Sequence, residues 1–64
     1  MVSEEPTRKL VKRLKDAGFV ADRTVGSHTT YVNGPVSVTV PDGHKTISPG
    51  VVRQVNKAIQ EAKK

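Results

Sequence analysis

The chain has 64 residues, no cysteine, and eleven Lys and Arg against six Asp and Glu, a formal charge of +5. A chain this short buries only roughly 60% of its unfolded surface, which excludes a second domain and a deep pocket for a small-molecule ligand, and the missing thiols exclude disulfides and thiolate zinc sites. The charge points to a polyanionic partner, nucleic acid first and an acidic protein second, while the lack of an apolar run near ~20 residues and a start, "MVSEEPTRK", unlike a signal peptide lead to an expected cytoplasmic location with no membrane contact.

The opening stretch reads as a helix. Ser3 is placed to cap it, Glu4 and Glu5 suit the positive end of its dipole, and Pro6 is tolerated in a first turn. Leu10, Leu14 and Ala17, with Val11 alongside, form one apolar stripe, while Arg8, Lys12 and Lys15 form a basic line on another face. Gly18 follows as the residue that ends the helix.

Three strands come next. "FVADRTV" and "HTTYV" are rich in β-branched and aromatic residues. "VSVTV" is the clearest, since Val36, Val38 and Val40 alternate with Ser37 and Thr39. Asn33-Gly34 is a tight-hairpin signal, and Pro35 is read as opening the third strand. "PDGHKTISPG" reads as a loop. A second helix follows, capped by Ser48 with Pro49 first. Val51, Val55, Ile59 and Ala62 share one side of it, with Val52 and Ala58 beside them. The tail Lys63-Lys64 is expected to fray. The expected fold is therefore α+β, an α-β-β-β-α domain in which both helices cover one face of a three-stranded antiparallel sheet.

Of the residues that could do chemistry, His28 in "GSHTTY" stands out. Strand alternation puts it on the face opposite Tyr31, hence on the open face if Tyr31 packs under the helices. Gly26 permits close approach of a substrate backbone, and Ser27 offers a hydroxyl. Imidazole has an unperturbed pKa of about 6.5, which suits proton transfer to and from ribose hydroxyls during RNA cleavage. A lone strand histidine is more often a tolerated polar residue, so spacing alone does not make it a catalyst. His44, in an exposed-looking "DGHK" turn, is open to the same two readings, phosphate contact or ordinary loop. Two histidines without cysteine make a poor zinc set, and the acids do not cluster as magnesium needs, so neither metal nor cofactor is expected.

Taken together, "LVKRLKDAGFVADRTVGSHTTY" and "VSVTVPDGHKTISPGVVRQVNKAI" resemble the HicA toxins, also called YcfA-like proteins, of bacterial and phage toxin–antitoxin systems. The family pattern is a helix ending in "GF" or "GW", then "GSH" plus an aromatic residue and a strand ending in "VP". A loop with His or Lys follows, then a helix begun near "I-x-x-G". The resemblance spans about Thr7 to Ile59 and leaves residues 1–6 of a single 1–64 domain as an N-terminal extension. It implies a fold like that of double-stranded-RNA-binding domains and a ribosome-independent, metal-independent endoribonuclease acting on mRNA. It also implies a catalytic histidine at His28 and a cognate HicB-type antitoxin that covers it. Arg23 and Lys45, close in sequence to the site loops, are expected to contact RNA phosphates together with Gly26, Ser27 and His44. Two departures stand out: Thr29 occupies a position where many members carry a second histidine, and Gly50-Val51-Val52 replaces a frequent "G-T-L". The alternatives are a non-catalytic RNA-binding module of the same fold and a basic protein that meets only an acidic protein partner.

Overall fold

The computed structural model describes residues 3–63. Its elements run β1 (Glu5–Pro6), α1 (Thr7–Asp16), β2 (Val20–Val25), β3 (His28–Asn33), β4 (Val36–Val40), β5 (Thr46–Ile47) and α2 (Pro49–Ala62). The expected order of helix, three strands and helix is present, and β2, β3 and β4 form an antiparallel sheet in that order. A second, two-stranded sheet pairs β1 with β5.

Alternation decides what the sheet buries. Thr29, Tyr31, Val38 and Val40 point to the helices and are buried, while Ser37 and Thr39 are exposed. Leu10 and Leu14 of α1 and Val52, Val55 and Ala58 of α2 meet them in one core with Phe19 and Ile47. Both helices thus cover one face of the sheet and leave the other open. Every residue of β2 is exposed, because it lies at the edge beyond the helices' cover.

The elements depart from expectation in four places. Ser3 does not cap α1; the helix begins at Thr7 with Pro6 as its N-cap and no acid in its first turn. The physical reason is tertiary. The Glu5 carboxylate is held by Arg13, whose Nε donates to Oε2 at 2.9 Å and Nη2 to Oε1 at 2.7 Å. The Thr7 amide donates to the Lys45 carbonyl at 2.9 Å. Residues 5 and 6 are therefore drawn into a strand beside Thr46 and Ile47, where the sequence reads as extension and loop. Pro35 does not open the third strand. Asn33 pairs with Val36, so the hairpin loop is Gly34-Pro35, with Gly34 at φ +61°. A left-handed glycine followed by proline is the pattern of a II′ turn, since a I′ turn would need positive φ at both positions. On α2 the core line runs Val52–Val55–Ala58, and Val51, Ile59 and Ala62 are only half-buried against it.

Other expectations hold. Gly18, at φ +92°, ends α1 with its amide on the Lys15 carbonyl at 3.0 Å. Ser48 is the N-cap of α2 and Pro49 its first residue, although the Ser48 hydroxyl makes no capping bond. Lys64 of the expected frayed tail lies outside the described residues.

Candidate active site

The candidate site is built on the turn between β2 and β3. Val25 pairs with His28, leaving Gly26-Ser27 as a two-residue loop. Gly26 takes φ +61°, and a Cβ there would meet nothing within 4 Å. Its role is therefore the backbone conformation of the turn, in the same glycine-first pattern as Gly34. His28 follows at once, exposed, on the face opposite Tyr31 as the alternation requires.

Arg23 belongs to the same face. It is directly across from Thr30, which lies two residues along β3 from His28. Arg23 and His28 are thus diagonal cross-strand neighbours, a spacing of about 7–8 Å between such positions. Among the described residues the two large hydrophobics left on the surface, Val20 at 61% exposure and Val25 at 65%, pair with Val32 and His28 and share this open face.

A second segment closes on the turn. The Gly43 amide donates to the Ser27 carbonyl at 3.0 Å. The approach is so tight that a Cβ on Gly43 would lie 2.5 Å from Ser27 Cβ and 3.1 Å from Ser27 Cα. On its other side the segment is tied to α1, since the Thr7 hydroxyl donates to the His44 carbonyl and the Thr7 amide to that of Lys45. His44 and Lys45, both exposed, are thereby held at the end of the molecule that carries Gly26, Ser27 and His28.

The residue that organises this end is Asp42, which sequence reasoning does not single out. Its carboxylate accepts from the Thr29 hydroxyl at 2.9 Å and from the Tyr31 hydroxyl at 2.9 Å. Thr29 also meets Thr24 Oγ1 at 3.0 Å. The consecutive residues Asp42 and Gly43 therefore hold the residues on either side of His28, Thr29 and Ser27. The sequence signal was the tripeptide Pro41-Asp42-Gly43, which marks a turn but not its partner.

Burial and the hydrogen bond to the Asp42 carboxylate, with its negative charge, push the Tyr31 hydroxyl up to about 12. The neutral phenol is thus favoured in the folded state. Its contribution to stability is complete below the unfolded value near 10 and is lost as pH rises toward 12. Tyr31 is the only tyrosine and tryptophan is absent, so ultraviolet absorbance of the phenolate reports this group alone. The expected record is a phenolate transition near pH 12 coupled to unfolding above pH 10. A transition near 10 in a folded chain would show that neither burial nor the Asp42 bond holds the phenol neutral.

Tyr31 and Asp42 open into a groove of about 490 Å³ whose other wall is α1, with Arg8, Lys12 and Lys15 along it. The basic line expected on the first helix thus borders the same end. Arg13 is removed from the set of free cations, because it bonds Glu5 and, through Nη1, Asn56 Oδ1 at 2.9 Å. Among the described residues no three His, Cys, Asp or Glu side chains gather as metal ligands would, and no helix is long and apolar enough to cross a membrane.

The family model for the HicA toxin of bacterial toxin–antitoxin systems matches residues 7–63. No curated protein and no solved structure matches the chain.

Proposed function

The chain belongs to the HicA toxin family of bacterial toxin–antitoxin systems, and from that premise we propose that it is an endoribonuclease acting on mRNA with His28 as its general acid or base. The observation that carries this reading is the placement of His28. It is exposed on the open face, diagonal to Arg23, and the residues on either side of it are fixed by Asp42 and Gly43. A proton-transfer group needs that combination of access and fixed backbone, and a positioned acid or base contributes roughly 10²–10⁴-fold. The ribose 2′-hydroxyl loses its proton as it attacks the adjacent phosphorus, and the leaving 5′-oxygen gains one. Arg23, diagonal to His28, and His44 and Lys45, in the segment that closes on the Gly26-Ser27 turn, would supply the positive and hydrogen-bonding groups that steady the phosphate. The basic line Arg8, Lys12 and Lys15, on the helix side of the sheet, adds positive charge to the same end of the molecule.

Thr29 stands where many members of the family carry a second histidine. It points inward to Asp42, so its identity takes nothing from the open face. A toxin of this family has an antitoxin. We infer one of HicB type that covers His28, a reading supported by Val20 and Val25, the apolar side chains exposed on the same face.

The test is purified chain with single-stranded RNA in excess chelator. Cleavage that leaves 2′,3′-cyclic phosphate ends is the expected result. Ends bearing a 3′-hydroxyl would overturn the 2′-hydroxyl mechanism, and RNA bound but uncut would favour the non-catalytic binding module.

A further inference from the structure

The three-stranded sheet has two edges, and they are not alike. The β2 edge is interrupted by a bulge between Ala21 and Arg23 and carries Asp22 and Arg23. Bulges and charges are the usual devices that keep an edge from pairing with another chain. The β4 edge has neither. Val36–Val40 holds five residues in unbroken register, with no charge and no proline within the strand.

The backbone groups that β4 leaves free follow from the ladder. Asn33 and Val36 flank a two-residue loop and form a hydrogen-bonded pair, so Tyr31–Val38 and Thr29–Val40 are bonded pairs as well. Thr30–Thr39 is then a non-bonded pair, the kind with the closer side chains, and its two hydroxyls do meet at 3.1 Å. The N–H and C=O groups of Ser37 and Thr39 therefore point away from β3, to the free edge. A groove of about 590 Å³ runs along that edge, walled on the other side by Gln54, Lys57, Ala58 and Glu61 of α2.

We propose that this edge takes the β4 strand of a second copy of the chain, joining two three-stranded sheets into one of six strands. The strand reads nearly the same in both directions about Val38. Antiparallel pairing centred there sets Val36 against Val40, Ser37 against Thr39, and Val38 against itself. The pairs that must exchange hydrogen bonds are the two Ser37–Thr39 pairs, and these are the residues whose backbone groups are free. One register thus satisfies all of them while keeping valines on the helix side and hydroxyls on the open side. The α2 wall agrees. Lys57 and Glu61 lie one turn apart along the groove, and a two-fold axis reverses their order, so the cation of one copy faces the anion of the other. An acidic partner, which the net charge of +5 would attract elsewhere, gains nothing from a wall of mixed sign. The strands are short, so the association is weak, with a dissociation constant on the order of 0.1 mM, as suits an interface below about 1,200 Å².

The proposal does not depend on the ribonuclease reading. It is tested by sedimentation of the whole chain across a concentration series, with amide exchange at Ser37 and Thr39. A monomer–dimer equilibrium with both amides slowing as dimer forms is the expected result. Both side chains are exposed, so S37K/T39K leaves the fold intact by circular dichroism but opposes lysine to lysine at both pairs, and the dimer is lost. S37K/T39E opposes unlike charges at the same pairs and restores it. A monomer at all concentrations would overturn the proposal, as would equal dimerisation by all three proteins. Protection of these amides only when a different protein is added would assign the edge to that protein instead.

Discussion

His28→Ala is expected to reduce RNA cleavage by roughly 10²–10⁴-fold while leaving the fold unchanged. The expectation of an unchanged fold rests on three facts. His28 is exposed, it sits on the side of the sheet away from the core, and its side chain makes no hydrogen bond among the described residues. Surface substitutions away from such bonds usually change stability by no more than about 0.5 kcal/mol. Parent and variant should therefore melt together and differ only in rate. A variant that cuts RNA as fast as the parent would remove His28 from the chemistry. A variant that fails to fold would show that the open face is not as free as the exposure implies.

The largest loss of stability outside the core is expected at Asp42. Asp42→Ala leaves the Tyr31 hydroxyl without its acceptor and takes from the Thr29 hydroxyl one of its two partners, Thr24 being the other, and both residues are 4% exposed. A buried polar group left unpaired costs about 1–3 kcal/mol, against a total stability of about 5–15 kcal/mol for ordinary domains. Cleavage should fall as well, because the strand on the C-terminal side of His28 loses its anchor. Gly43→Ala attacks the N-terminal side by a different route. The conformation at Gly43 is not left-handed, so the cost is one of space: the added methyl would sit 2.5 Å from Ser27 Cβ. The turn must shift, and the bond from the Gly43 amide to the Ser27 carbonyl goes with it. Denaturant titration of the two variants checks both effects. Asp42→Ala melting like the parent would mean that the hydroxyls find water or each other, and the carboxylate is not what fixes β3.

How much of this was legible in the sequence depends on the range of the interaction. The strands were legible because their signal is local. Val36, Val38 and Val40 alternate, and a sheet with one buried face keeps that alternation. Gly18 and Pro49 mark helix ends for reasons confined to their own φ angles. The start of α1 was not legible. Ser3 has the chemistry of a cap, but the bonds that decide the boundary join Glu5 to Arg13 and Thr7 to Lys45, and the second of these spans most of the chain. The pair of short strands, β1 and β5, arises from the same contacts and carries no periodicity of its own.

The candidate site shows the same division. The position of His28 on the open face follows from its distance in sequence from Tyr31, and the structure puts both where alternation requires. Arg23 is close to the site turn in sequence, and the ladder places it on the face of His28. His44 and Lys45 reach the same end only because Gly43 packs on Ser27. Asp42 was invisible as an organising residue. Its partners lie eleven and thirteen positions away, and a turn tripeptide says nothing about which hydroxyls its carboxylate will meet.

The most direct measurement is controlled expression of the parent chain beside His28→Ala, following growth and total cellular RNA. Growth arrest with fragmented RNA for the parent alone is the predicted result. Equal arrest and equal fragmentation by both chains would contradict the assignment of His28, and arrest without fragmentation would contradict the ribonuclease itself.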